Sequence, residues 1–212
     1  MKLYNLLKHF NQFNIPCSFC AIMFPVFLFS LKLLNHNWKL WRTERMKKAL
    51  LVIDMQNVCV GENHAAYFKY NNADLIEAVN RVIDTNKESM VIYIKNVMKK
   101  NILNKFAPFH AYEGTEEVEL VNNLQMVSEN IFTKYEGNAF SNSALNQFLK
   151  KSDIEYVEVI GVDGGGCVAL TALGAIQEGY KVIVNENAIG TMFVKNKNKY
   201  FKQLKDLGAE FK

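Results

Sequence analysis

Ala49-Leu50-Leu51-Val52-Ile53 is an unbroken apolar run rich in branched side chains, and the acidic Asp54 ends it. A strand covered on both faces reads this way. The same kind of run returns at Met90–Ile94, Asn130–Lys134, Tyr156–Ile160 and Lys181–Val184, with a short last one near Glu210–Phe211. Between these runs the apolar spacing becomes helical. Leu75, Ile76, Val79, Val82 and Ile83 predict a helix over 74–87, and Val118, Leu120, Val121 and Leu124 predict another over 116–127. Ser143–Lys151 reads as a helix capped by Ser143 or Asn142, and a small-residue helix runs from Cys167 through Glu178 until Gly179 stops it. A last helix is expected over 197–207. Strands that alternate with helices predict an α/β domain with a mostly parallel sheet and right-handed crossovers.

The chain has 212 residues, room for one domain and an appendage. Its formal net charge of +4 is unevenly spread. Residues 1–45 hold Lys2, Lys8, Lys32, Lys39, Arg42 and Arg45 against Glu44 alone, so the remainder is close to neutral. A near-neutral body argues against a nucleic-acid partner. Four cysteines in a chain of this length exclude a disulfide scaffold.

The leader, 1–45, contains an uncharged run from Ile15 to Leu31, extended by Leu33 and Leu34 past Lys32. That is the short end of what spans a bilayer. Basic residues flank it on both sides, and Pro25 would kink a helix there. A cleaved signal peptide needs a small-residue site after the apolar core, and the sequence LKLLNHNWKLW offers none. An uncleaved anchor through 15–34 and a start codon placed too early are the other readings. The second of these is favoured, because Met46-Lys47-Lys48 runs straight into the first strand. The expected division is therefore a hydrophobic basic leader, 1–45, and a compact α/β domain, 46–212. Cys17 and Cys20 form a C-x-x-C pair without the partners that zinc or redox chemistry requires.

Gly161-Val162-Asp163-Gly164-Gly165-Gly166-Cys167 joins a strand to a helix. It lacks the lysine of a phosphate-binding P-loop and does not fit G-x-G-x-x-G. A thiol on the first turn of a helix meets free N–H groups and a positive dipole end, so Cys167 is a candidate nucleophile. Asp54 and Lys134 also follow strands, and ligands of a parallel sheet sit at that end. An acid/base and a cation are what a thiol nucleophile needs. Helix and Lys134 are expected to outweigh Asp54 and lower the Cys167 pKa toward about 3.5–7.5.

Leu51-Val52-Ile53-Asp54-Met55-Gln56-Asn57, Lys134 with Asn138-Ala139-Phe140 and Leu145, and Gly161-Val162-x4-Cys167-Val168-x2-Thr171-Ala172-x2-Ala175 resemble the isochorismatase-like cysteine hydrolases. His110 with Gly114-Thr115-Glu116 matches that family's middle segment. The resemblance spans about 47–211. It implies a doubly wound six-stranded parallel sheet with helices on both faces and a triad of Asp54, Lys134 and Cys167. It also implies a cis Val162–Asp163 peptide and an oxyanion turn of Val162, Asp163 and Gly166. Family members hydrolyse amides such as nicotinamide, carbamoylsarcosine or ureidoacrylate, whereas true isochorismatases cleave a vinyl ether.

The departures narrow this reading. No Asp is followed two residues later by His, so the metal motif of nicotinamidase-type members is absent and no metal or cofactor is expected. Gly164 stands where Thr is frequent, and Asn138 stands for Ser, so no named substrate carries over. Gln56, His110, Tyr135 and Phe140 are candidate pocket residues. For Tyr135 and Phe140 the alternative is a core role, and for His110 a structural one. Cys59 reads as a packing thiol and His64 as a solvated loop residue. The expected function is hydrolysis of a C–N bond in a small metabolite by a cytoplasmic homo-oligomer. A vinyl-ether hydrolase, a non-catalytic binding relative, and membrane attachment through 15–34 are the alternatives.

Overall fold

The computed structural model describes residues 47–212. The predicted leader, its C-x-x-C pair and the proposed start at Met46 lie outside these residues.

Six strands form one sheet: β1 (Lys48–Ile53), β2 (Met90–Asn96), β3 (Ile131–Lys134), β4 (Tyr156–Val162), β5 (Lys181–Gly190) and β6 (Glu210–Phe211). Their order is β3-β2-β1-β4-β5-β6, and every pairing is parallel. Among the described residues the helices are α1 (Asn57–Val60), α2 (Asn72–Thr85), α3 (Ser143–Lys151), α4 (Cys167–Gln177) and α5 (Val194–Asp206). Asn142 caps α3 by accepting from the Ala144 N–H at 2.9 Å.

Alternation along the strands divides the core in two. Leu50, Val52, Val91, Tyr93 and Ile160 face α2 through Ile76, Val79 and Ile83. Ala49, Leu51, Ile53, Ile92 and Val159 face the other way, against Leu145 and Leu149 of α3, Val168 and Ala172 of α4, and Phe201 and Leu204 of α5. Helices on both faces explain why the strands read as continuous apolar runs. The strand order reverses between β1 and β4, and at such a point the loops leave in opposite directions and open a crevice at the carboxyl ends. Asp54 follows β1 and Cys167 follows β4, so the two flank that crevice.

Two sequence expectations are corrected. Residues 116–127 do not form a helix. A single 3₁₀ turn covers Glu116–Val118, and the chain then runs beside the segment after β1. The Asn57 N–H donates to Glu119 O at 2.8 Å and the Val121 N–H to Met55 O at 3.1 Å. Val118, Val121 and Leu124 are buried, as their apolar character requires. Backbone bonds to a neighbouring segment replaced those of a helix. β5 also runs six residues past Val184, because Asn185-Glu186-Asn187 interrupts the apolar pattern but not the strand. The register against β4 shifts there.

Gly161 and Gly165 are dictated by close approach. A Cβ on Gly161, whose φ is +107°, would lie 2.1 Å from Ile53 O, and one on Gly165 would lie 2.1 Å from Phe193 O.

Candidate active site

Lys134 is the last residue of β3, and its side chain has no solvent exposure. An ammonium has three donors, and all three are engaged. Nζ donates to Asp54 Oδ2 at 2.9 Å, to Asn96 Oδ1 at 3.1 Å and to Cys167 Sγ at 3.2 Å. Lys134, at the end of β3, thus ties the residues at the ends of β1 and β2 to the first residue of α4. Asp54 has a φ of 54°, a left-handed conformation that aspartate tolerates better than most side chains. Its Oδ1 is buried and has no hydrogen-bond partner.

The electrostatics differ from the sequence expectation. The Cys167 thiol is pushed up from an ordinary 9.0 to about 12, first by burial and then by the Asp54 carboxylate. Lys134 pulls it down but does not win. Burial would lower the Lys134 pKa, yet Asp54 and the Cys167 sulfur raise it on balance. Burial and Asp54 thus favour the neutral thiol, and Asp54 and the sulfur favour the ammonium. The thiol's upward shift is opposite to the low-pKa thiolate expected from the sequence, and its first cause is the water this sulfur has lost.

The turn before Cys167 is tied down by its own first residue. Asp163 is 7% exposed. Its Oδ1 accepts from the Gly165 N–H at 2.6 Å, and its backbone oxygen accepts from the N–H groups of Gly166 and Val168, each at 3.0 Å. The Gly164 N–H donates to Gly190 O at 2.9 Å. Among the described residues, the N–H groups of Asp163 and Cys167 are left without a partner in this turn. Gly166 is corrected as an oxyanion donor, because its N–H is spent. Val162 closes β4 opposite Gly190 and buries its side chain in the core. The peptide between Val162 and Asp163 is cis.

The candidate pocket residues scatter. Gln56 has no exposed surface and is corrected as a pocket residue. Its Nε2 donates to Asn96 O at 3.1 Å and Val118 O at 2.7 Å, and its Oε1 accepts from the Asn96 N–H at 2.8 Å. It clamps the end of β2, and with it Asn96, beside β1. Phe140 is likewise corrected: it is buried in the second core, 5.7 Å from the Tyr180 ring. Tyr135 is half exposed, with the Lys99 ammonium 5.5 Å from its ring centre, and it lines a hollow of about 460 Å³ with Met98 and Lys100. His110 is exposed and packs on Tyr112 at 5.3 Å. It lines a larger cavity of about 880 Å³ with half-buried His64, Asn72 and Glu116, and none of Asp54, Lys134 or Cys167 borders that space. Cys59 is buried in the first core, and burial raises its pKa well above the ordinary thiol value.

Asn96 and Tyr70 escaped the sequence reading. Asn96 carried the same signal as Asp54 and Lys134, a polar residue at a strand's carboxyl end. Tyr70 carried none. Among the described residues no group of three His, Cys, Asp or Glu side chains is arranged to hold a metal ion, and no helix is long and apolar enough to cross a membrane.

A doubly wound parallel sheet with a buried polar cluster at its switch point is the architecture shared with an isochorismatase-like hydrolase of known structure. The family model of the isochorismatase domain matches residues 48–211, and the chain belongs to that family. It is 30% identical to YddQ, an isochorismatase family protein of Bacillus subtilis, over 69% of this chain and 79% of that protein. Among solved structures it resembles N-carbamoylsarcosine amidase from Thermoplasma acidophilum, with a TM-score of 0.68 and 25% identity over 79% of this chain and 96% of that one. The nicotinamidase PncA of Bacillus subtilis shares the fold, with a TM-score of 0.66 and 22% identity over 78% of this chain and 99% of that one.

Proposed function

We propose that the protein hydrolyses a carbon–nitrogen bond, of an amide or a carbamoyl group, in a small metabolite by way of a thioester on Cys167. One observation carries this reading: Lys134 touches both Asp54 and Cys167, while Asp54 keeps one buried oxygen open.

The chemistry follows from these positions. Asp54 takes the Cys167 proton as the sulfur attacks the carbonyl carbon, and Lys134 neutralises the charge gathering on sulfur. The tetrahedral oxyanion is met by the two unspent N–H groups, those of Asp163 and Cys167. When the C–N bond breaks, Asp54 returns the proton to the leaving nitrogen. A water molecule then gives its proton to Asp54 and adds to the thioester. The C–S bond breaks, the acid leaves, and Asp54 returns its proton to sulfur. A thiol that ionises only as it attacks is compatible with the raised resting pKa.

N-carbamoylsarcosine amidase and nicotinamidase, the named structural relatives, act on C–N bonds, which supports the bond type. A vinyl-ether hydrolase would leave Cys167 idle beside its ammonium. The test is ammonia release from a panel of small primary amides and carbamoyl compounds. Wild type should turn over at least one of them, and Cys167→Ser should turn over none. A serine variant with undiminished hydrolysis would defeat the proposal.

A further inference from the structure

Asp163 is a second buried carboxylate at the site, and the mechanism uses only its backbone. Its side chain gathers three separate segments. Oδ1 holds the Gly165 N–H, and Oδ2 accepts from the Met192 N–H, just beyond β5, and from the Tyr70 hydroxyl at 3.1 Å. Tyr70 belongs to the loop before α2. Its ring packs on the first core and lies against Gly190, where a Cβ would meet Tyr70 Cδ1 at 3.1 Å. The absent side chain at Gly190 lets the phenol lie across the end of β5 and reach Asp163. Burial, and then the nearby Asp163 charge, raise the Tyr70 pKa, so the phenol remains a donor.

We propose that Tyr70 is a positioning residue for the oxyanion turn, acting through the Asp163 carboxylate to hold the N–H groups of Asp163 and Cys167 in register with the sulfur. This rests on the thioester reading above. The two donors sit at either end of a turn whose other N–H groups are all tied internally or to Gly190, so the turn moves as one body. Asp163 is its anchor, and Tyr70 with Met192 N–H fixes that anchor to the rest of the fold. An oxyanion hole loses strength when its donors shift by fractions of an ångström, even with the nucleophile in place.

The experiment uses the full chain and ¹³C-carbonyl benzaldehyde as probe. Addition of Cys167 to the aldehyde forms a hemithioacetal whose oxygen occupies the oxyanion position, and NMR reads its affinity. Methyl methanethiosulfonate, which reacts at the same sulfur without forming an oxyanion, reads the nucleophile alone. Tyr70→Phe should weaken the aldehyde adduct about tenfold, as expected for one lost hydrogen bond to a charged group, and leave the methanethiosulfonate rate unchanged. Asp163→Asn should weaken the adduct further. Equal aldehyde affinity in wild type and Tyr70→Phe would overturn the inference while leaving the thioester reading intact. An equal loss with both probes would also overturn it, since Tyr70 would then support the thiol and not the turn. Absence of any Cys167 adduct in wild type would overturn both.

Discussion

Lys134 holds Asp54 by Oδ2 at 2.9 Å and leaves Oδ1 of the same carboxylate buried with nothing bonded to it. An unpaired buried acceptor is costly to folding unless something else requires it. Here the pairing divides the labour of one carboxylate: one oxygen is fixed by charge and the other is kept for a proton. The same relationship makes the site sensitive to loss of either partner.

Lys134→Met should therefore cost about 3–5 kcal/mol, the range for leaving one buried charge of a pair uncompensated. Adding Asp54→Asn should restore most of that stability, while neither variant hydrolyses substrate. Urea denaturation of the wild type, both singles and the double closes the cycle.

Thiol reactivity should follow the opposing pulls on Cys167. Because burial and Asp54 raise its pKa, labelling by iodoacetamide should be slow at pH 7 and accelerate toward pH 10 and above. Asp54→Asn removes a raising influence, so labelling at neutral pH should quicken even as turnover is lost. Lys134→Ala should slow it. Peptide mass spectrometry after timed alkylation gives the rates for Cys167 and Cys59 separately.

At the far end of the sheet Glu158, 2% exposed, accepts from Lys48 at 2.6 Å and from Asn185 at 2.9 Å. Burial opposes its charge, but these partners hold its pKa below the usual glutamate value of 4.5. Its contribution is thus complete above about pH 4.5 and is lost as pH falls through the lower folded value. Glu158→Gln should cost about 1–3 kcal/mol at pH 7, and the gap to wild type should close in acid. Thermal melts across pH 3–7 follow it.

Gly161→Ala should be among the most damaging single changes. The residue sits at φ +107°, and its new Cβ would meet Ile53 O at 2.1 Å, backbone against backbone with nothing flexible to yield. Together the strain and the clash should exceed about 3 kcal/mol. The soluble yield and melting temperature of the variant test this.

The sheet was legible because burial on both faces writes a strand as an uninterrupted apolar run, and because strand ends in such a sheet carry the polar residues that matter. That logic located Asp54, Lys134 and Cys167, and applied to Asn96 it would have found the third partner of Lys134. It could not reveal Gln56 as a clamp on β2, since a buried amide and a pocket amide share one sequence pattern. Nor could it show that 118–124 keeps its apolar residues inside without forming a helix, because that rests on backbone bonds to Met55 and Asn57. The upward direction of the thiol's shift was hidden for a related reason: charge partners can be read from sequence, but the extent of desolvation cannot.

The central claim is that Cys167 carries the acyl group. Once a turned-over amide is found in the panel, acid quenching during steady-state turnover followed by peptide mass spectrometry should show the acyl mass on the peptide containing Cys167, and none on Cys59. The adduct should be discharged by added hydroxylamine and be absent from Cys167→Ser. Product formation with no acyl adduct in wild type at any quench time, or an adduct on another residue, would contradict the account.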